Sequence, residues 1–375
     1  MAGLYVHVPF CSKRCLYCDF FSNTEMRYKE PYVAALIREM ALRAPYLAGE
    51  PIETIYFGGG TPSQLAASDF RQIFEAIQQH FTLTSSMEIT LEANPDDLSS
   101  AYIRSLRTLP FNRLSMGIQS FHEDDLRLLN RRHTAAQAKE AVDRCQQAGL
   151  TNLSIDLIYG LPGQTQAAWE DNLAQALALQ VPHLSAYHLT YEEGTALYRL
   201  LEEGKVQPVD EELSLSLFNT LIDQLTQAGY QHYEISNFAK PGCYSRHNSS
   251  YWTGKAYLGL GPSAHSYNGQ EREWNVASLP IYIKGIEAGE PQLEREVLAI
   301  PTRYNDFVIT RLRTQWGISC EELAATFGEK WLAYCLKQAQ RALQQGLLIH
   351  EGGRLRLSRK GLFLSDGIMS DLLWV

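Results

Sequence analysis

Six short apolar segments, separated by amphipathic stretches, fill the first two-thirds of the chain and leave it few folds to choose from. They are LYVHV around Tyr5, ETIYFG ending at Gly58, MEITLEA ending at Ala93, RLSMGI ending at Ile118, LSIDLIYG ending at Gly160 and HLSAYHL ending at Leu189. They are rich in apolar or β-branched residues, and most are closed by Gly, Pro, Asn or Ser, which marks strands. The stretches between them have a helical period. Tyr32, Ala35, Leu36, Met40 and Leu42 fall roughly on one face, as do Leu173, Ala176, Leu177 and Leu179. Strand–helix–strand alternation makes a parallel sheet. Six units fall short of the eight that close a barrel. The expected fold is therefore α/β, a partial (β/α)6 barrel over residues 1–230, with its chemistry at the C-terminal strand ends.

The pattern then changes. Residues 231–305 are rich in Tyr, Trp, Gly, Ser and Asn, show little periodicity and read as a loop-rich connecting region. Residues 306–375 look like a small separate unit. Leu332, Leu336, Ala339 and Leu343 form a helical stripe, and GLLIHEGGRLRLSRKG turns back at Gly352–Gly353 as a hairpin. Helices followed by a hairpin are winged-helix-like. No stretch is apolar and uncharged for long enough to cross a bilayer. The start, MAGLYVHVPFC, lacks the basic-then-apolar order of a signal peptide. The expected compartment is the cytoplasm, where the seven cysteines stay unpaired. A net charge of −9 argues against a general affinity for nucleic acid. From Asp306 on, nine basic residues face seven acidic ones, an excess that a solvated surface explains.

Three cysteines stand close together as Cys11, Cys15 and Cys18. Cys145, Cys243, Cys320 and Cys335 are scattered and read as small apolar residues. Thiolates ligate zinc and iron–sulfur clusters. Structural zinc wants four ligands, and no fourth cysteine is nearby. A cubane cluster held by three thiolates leaves one iron open. That iron suits the amino and carboxylate groups of S-adenosylmethionine, whose sulfonium one electron from the cluster cleaves. Lys13 and Arg14 would offset part of the thiolate charge.

Other polar residues sit where a barrel places its site. Gly58-Gly59-Gly60-Thr61 closes the second strand; glycines there let a ligand approach and offer N–H groups, or simply make a tight turn. Glu92 and Gln119 end the third and fourth strands, and Asp156 lies near the end of the fifth. Each is a polar residue in an apolar stretch and needs a partner, which a structural hydrogen bond supplies as well as a ligand.

The C-x3-C-x2-C spacing is the signature of the radical S-adenosylmethionine superfamily. YVHVPFC, CLYCDF, YFGGGTPS, LEANPDD, MGIQSF and DLIYGLPGQT, in this order, resemble the oxygen-independent coproporphyrinogen III oxidases and their relatives, over nearly the whole chain. The resemblance implies a 4Fe-4S cluster on Cys11, Cys15 and Cys18. It also implies S-adenosylmethionine against Gly59, Gly60 and Thr61, with Glu92 and Asp156 on its ribose or amino groups. Gln119 and Arg131 would contact its carboxylate or a second cofactor molecule, with Arg132 a rival for the Arg131 role. Tyr5 matches a tyrosine that packs on the cofactor, and Tyr17 an aromatic that covers the adenine.

The chain departs from the oxidase pattern at two points. The oxidases carry C-x3-C-x2-C-x-C, and Phe20 stands where the last cysteine would be. Only ten residues precede Cys11, where the oxidases have an extension. Both departures fit another branch, the HemW-type heme chaperones. His247-Asn248-Ser249-Ser250-Tyr251-Trp252 carries that branch's H-N-x-x-Y-W, and GLGPSAHSY from Gly259 to Tyr267 fits it too. This resemblance implies heme as a further bound group, with His247 as first candidate for its iron, His265 as second, and Tyr251 and Trp252 to stack on it. It implies heme-accepting proteins as partners, and leaves peripheral membrane association and a homodimer open. A coproporphyrinogen III oxidase, or another radical enzyme of porphyrin metabolism, is the alternative.

Overall fold

Each of the six apolar segments forms a strand. The structure is a computed structural model that describes residues 1–375. β1 (Ala2–Val8), β2 (Ile52–Gly59), β3 (Leu83–Ala93), β4 (Arg113–Gln119), β5 (Leu153–Tyr159) and β6 (His183–His188) lie side by side in sequence order, all parallel. β1, β4 and β5 are buried on both faces, which is why they read as continuous apolar runs and not as alternation. The intervening helices are α1 (Lys29–Arg43), α2 (Ala67–His80), α3 (Ser100–Leu106), α4 (Glu123–Leu128), α5 (Ala135–Gln147) and α6 (Gln166–Ala178). After β6 come α7 (Ala196–Glu202) and α8 (Glu211–Gln227). On α1, Tyr32, Ala35, Leu36 and Met40 are buried as expected, but Leu42 is 39 % exposed. Two residues past Met40 the helix has turned about 200°, so Leu42 faces outward.

Residues 231–305 are more ordered than their composition suggests. They supply both edges of one twelve-stranded sheet. β7 (Gln231–Glu234) and β8 (Asn237–Ala239) pair antiparallel beyond β6. β9 (Tyr257–Leu260) runs parallel to β1 on the opposite edge, followed antiparallel by β10 (His265–Tyr267), β11 (Glu271–Asn275) and β12 (Leu293–Val297). Strands of three to five residues are too short to show a period. Between them lie α9 (Arg246–Trp252) and α10 (Leu279–Ala288). The β12 and β7 ends do not pair, so the sheet stays open. A buried carboxylate holds the β9–β11 edge to the barrel. Glu39 of α1 accepts hydrogen bonds from Tyr282 Oη (2.6 Å), Asn275 Nδ2 (2.6 Å) and the Gly261 amide (2.7 Å). These donors offset the desolvation of the carboxylate.

The last residues form a second core of their own, with Tyr304, Phe307, Val308, Leu312, Ile318 and Leu355 among its members. Its elements are α11 (Ile300–Leu312), β13 (Ile318–Ser319), α12 (Cys320–Phe327), α13 (Glu329–Gln344), β14 (Leu348–Glu351), β15 (Arg354–Leu357), α14 (Arg359–Leu362) and α15 (Ser365–Leu372). Gly352 and Gly353 have φ of +55° and +70°, as a two-residue primed turn requires. On α13 the fully buried line runs through Cys335, Ala339 and Ala342, with Leu332 and Leu343 packed beside it. No helix is long and apolar enough to cross a membrane.

Candidate functional site

The thiol loop leaves β1 and crosses the C-terminal strand ends. Its base is pinned by hydrogen bonds from the Cys11 amide to Asn23 O (3.0 Å) and from the Asn23 amide to Pro9 O (2.6 Å). Leu16 bonds to Leu129 and Leu197 through its backbone, so the loop is anchored at both sides of the mouth. Cys11 Sγ lies 3.4 Å from Thr61 Oγ1, and Arg131 Nη1 donates to Cys15 Sγ at 3.2 Å. Burial pushes the Cys11 thiol up, and that of Cys18 up to about 11. Buried thiols of this kind ionise when a metal cation compensates their charge. No three ligand-type side chains are closed into a metal cage. The fit to an iron–sulfur cluster therefore lies in the donor set: three soft thiols on one loop with a guanidinium beside one of them.

The glycine turn serves this loop. The Gly60 amide donates to Val8 O (2.9 Å) and the Thr61 amide to Phe10 O (2.7 Å), so neither N–H is free for a ligand, and of the two readings of this segment these bonds fit the tight turn. A Cβ on Gly59, at φ +105°, would stand 2.6 Å from the His7 ring, and one on Gly60 would stand 2.9 Å from Phe10 O. Glycine is needed because the cysteine loop packs directly on this turn.

Behind the turn, Glu92 accepts from Tyr56 Oη at 2.6 Å and from the Gly59 amide. Burial pushes its carboxyl up to about 7 against these donors, and Asp156 adds repulsion. Asp156 is pushed by burial up to about 6, opposed by Ser185, Arg113 and Ser115. Both carboxylates line a polar cavity of about 40 Å³. Gln119 is buried with φ +72°, next to a register shift against β5. Such backbone strain, about 1–3 kcal/mol, collects at functional sites.

The structure separates the two arginines. Arg131 is held by Asn94 Oδ1 (2.6 Å) and Gly117 O (2.5 Å) and reaches Cys15. Arg132 pairs with Asp96 and Asp97, each at 2.9 Å, and makes no hydrogen bond to a thiol. Tyr17 packs on the small cluster of Leu129, Ile158, Leu161, Leu189 and Leu197 under the loop. Tyr5 Oη meets His7 Nδ1 at 3.2 Å, and its ring stacks on Tyr56. The reading of the sequence missed Tyr56, His7 and Asn94. Their signal was their place inside the motifs YFGGGTPS, YVHVPFC and LEANPDD.

A cavity of about 870 Å³ opens between the barrel mouth and the C-terminal unit. Phe20 and Phe21 of the thiol loop line it on one side, Tyr251, Trp252, Tyr257 and Tyr267 on another, and Arg303 and Phe307 of α11 close it. His247 is not placed as expected. HNSSYW forms α9, whose first amides, Arg246 and His247, donate to the Glu88 carboxylate at 3.0 and 2.9 Å. The His247 ring is fully buried, with Nδ1 on Thr54 Oγ1 and Nε2 on Tyr251 Oη, both at 2.8 Å. It stacks on Tyr56 with centroids 5.0 Å apart. Burial pushes its pKa down to about 3, so it is neutral, and both ring nitrogens are engaged within the protein. Here the histidine supports the Tyr56–Glu92 pair and offers iron no lone pair.

Residues 5–176 match the radical SAM superfamily, and residues 300–364 match the HemN C-terminal domain. Together with the open parallel sheet and the thiol loop, these matches define a radical SAM protein with a HemN-type C-terminal unit. The chain is 33 % identical to heme chaperone HemW of Lactococcus lactis, over 98 % of this chain and 96 % of that protein. It is 32 % identical to heme chaperone HemW of Bacillus subtilis, over 100 % and 99 % of the two chains. The structure of coproporphyrinogen III oxidase (HemN) from Escherichia coli, a radical SAM enzyme, superposes with a TM-score of 0.85 at 26 % identity, covering 99 % of this chain and 89 % of that one. The chain belongs to the HemW family.

Proposed function

We propose that the protein is a heme chaperone. It takes heme into the 870 Å³ cavity beside the thiol loop and passes it to acceptor proteins in the cytoplasm. The carrying observation is the cavity itself, whose size and aromatic walls suit a large planar ligand. Its rim holds Phe20, 62 % exposed, at the position where the oxidases have a further cysteine. The full-length HemW relatives, named as heme chaperones, support the same reading.

Cys11, Cys15 and Cys18 would hold a 4Fe-4S cluster, and Arg131 would offset its negative charge. The cluster, when bound, supplies one-electron chemistry to S-adenosylmethionine. Gly59, Gly60 and Thr61 keep the loop close enough for this, and Glu92 and Asp156 offer buried acceptors to ribose or amino groups. Gln119 and Arg131 would contact its carboxylate or a second cofactor molecule, and Tyr5 and Tyr17 would give aromatic surface. The oxidase structure favours a second reading, a porphyrinogen oxidase.

One experiment separates the two. The anaerobically reconstituted protein is titrated with heme, then supplied with coproporphyrinogen III, S-adenosylmethionine and reductant. Stable heme binding without conversion is the expected result. Conversion of the porphyrinogen without heme binding would overturn the chaperone reading.

A further inference from the structure

Three histidines line the large cavity: His7, His247 and His265. His7 is engaged through Nδ1 to Tyr5 Oη (3.2 Å) and through Nε2 to Phe21 O (2.8 Å). His247 is engaged at both nitrogens, as described above. His265 differs. It is partly exposed, makes no side-chain hydrogen bond or ion pair, and is held only by stacking on Trp274 across the β10–β11 ladder, with centroids 5.8 Å apart and planes at 22°. Burial and the nearby Arg272 both lower its pKa, so its ring is neutral at pH 7 and a ring nitrogen keeps its lone pair.

The charges around the cavity leave a second free group. Arg272 pairs with Asp306, and Arg311 with Glu322 at 2.7 Å. Arg303, on the same wall, has no acidic partner. A half-buried arginine with unfilled donors is a ready carboxylate site.

We propose that His265 is the iron contact and Arg303 a carboxylate contact for the heme taken up in this cavity. The proposal rests on the heme-binding reading above and names its ligands. Coordination is donation of a nitrogen lone pair to iron, with no change in oxidation state. The β10 position gives the ligand rigidity, because Asn275 and Gly261 beside it are tied to the buried Glu39.

The test is spectroscopic. Cluster-loaded wild type and His265→Ala are titrated with heme and, separately, with iron-free protoporphyrin. The expected result is a histidine-ligated heme spectrum in wild type, its loss in His265→Ala, and its recovery on adding imidazole, with protoporphyrin binding unchanged. If wild type binds no heme, the chaperone reading itself fails. If wild type binds heme and His265→Ala keeps the same spectrum, the ligand assignment falls while the reading stands. Equal loss of protoporphyrin would make His265 a packing residue and also overturn the assignment. For the second contact, Arg303→Ala should weaken free heme about tenfold or more. It should leave heme with esterified carboxylates unaffected; equal weakening of both would overturn that contact.

Discussion

Glu92 and Asp156 show how a strand-end carboxylate is tuned before any ligand arrives. Both sit in a cavity of about 40 Å³ and both are raised by burial, to about 7 and about 6. For Glu92 the folded pKa lies above the unfolded one, so the native state keeps a proton that the unfolded chain has already lost. Stability therefore falls as pH rises from about 4.5 to about 7, by on the order of 3 kcal/mol. Glu92→Gln removes this dependence. Its thermal midpoint should match wild type near pH 4 and exceed it at pH 8, and a midpoint below wild type at pH 8 would refute the penalty. The three thiols and Arg131 were legible from spacing and motif. The engagement of His247 was not, because its partner Thr54 lies 193 residues away in sequence.

Among the elements, helices declare themselves by their apolar period, some with a side-chain cap as well, and the short edge strands do not. Thr134 caps α5 by accepting from the Gln137 amide at 3.2 Å, while the Gln137 side chain accepts from the Thr134 amide at 2.9 Å. Thr134→Ala should lower stability by about 1 kcal/mol, read as a shift in the urea midpoint at constant slope. An unchanged midpoint would mean that packing of Ala138, Ala141 and Val142 alone holds the helix. The hairpin at Gly352–Gly353 was legible in the sequence, since two consecutive positive φ angles ask for glycine. β7 to β12 were not. β8 joins β6 and β9 joins β1, a strand far away in the chain, the other edge strands pair with these or with each other, and nothing in so short a segment states its partner.

For the whole molecule, the cavity exists because the C-terminal unit docks on α9 and β7. Arg311 donates to the carbonyls of Trp252 and Thr253 and pairs with Glu322. The Ile235 and Gln315 amides carry backbone hydrogen bonds across the same junction. Arg311→Ala should cost about 1–3 kcal/mol at this junction. Limited proteolysis should then cut faster between residues 288 and 300, with weaker heme binding and an unchanged cluster spectrum. A cluster lost along with heme affinity would mean that the two sites are not separable. The sequence by itself determined the parallel (β/α) order, the thiol loop and the hairpin, because each is written in neighbouring residues whose spacing is the signal. Only the tertiary structure decided which edges the connecting strands fill and which side chains enclose the cavity. It alone left His265 and Arg303 without partners, because hydrogen-bond and ion-pair completion depends on groups that meet only when distant segments pack together.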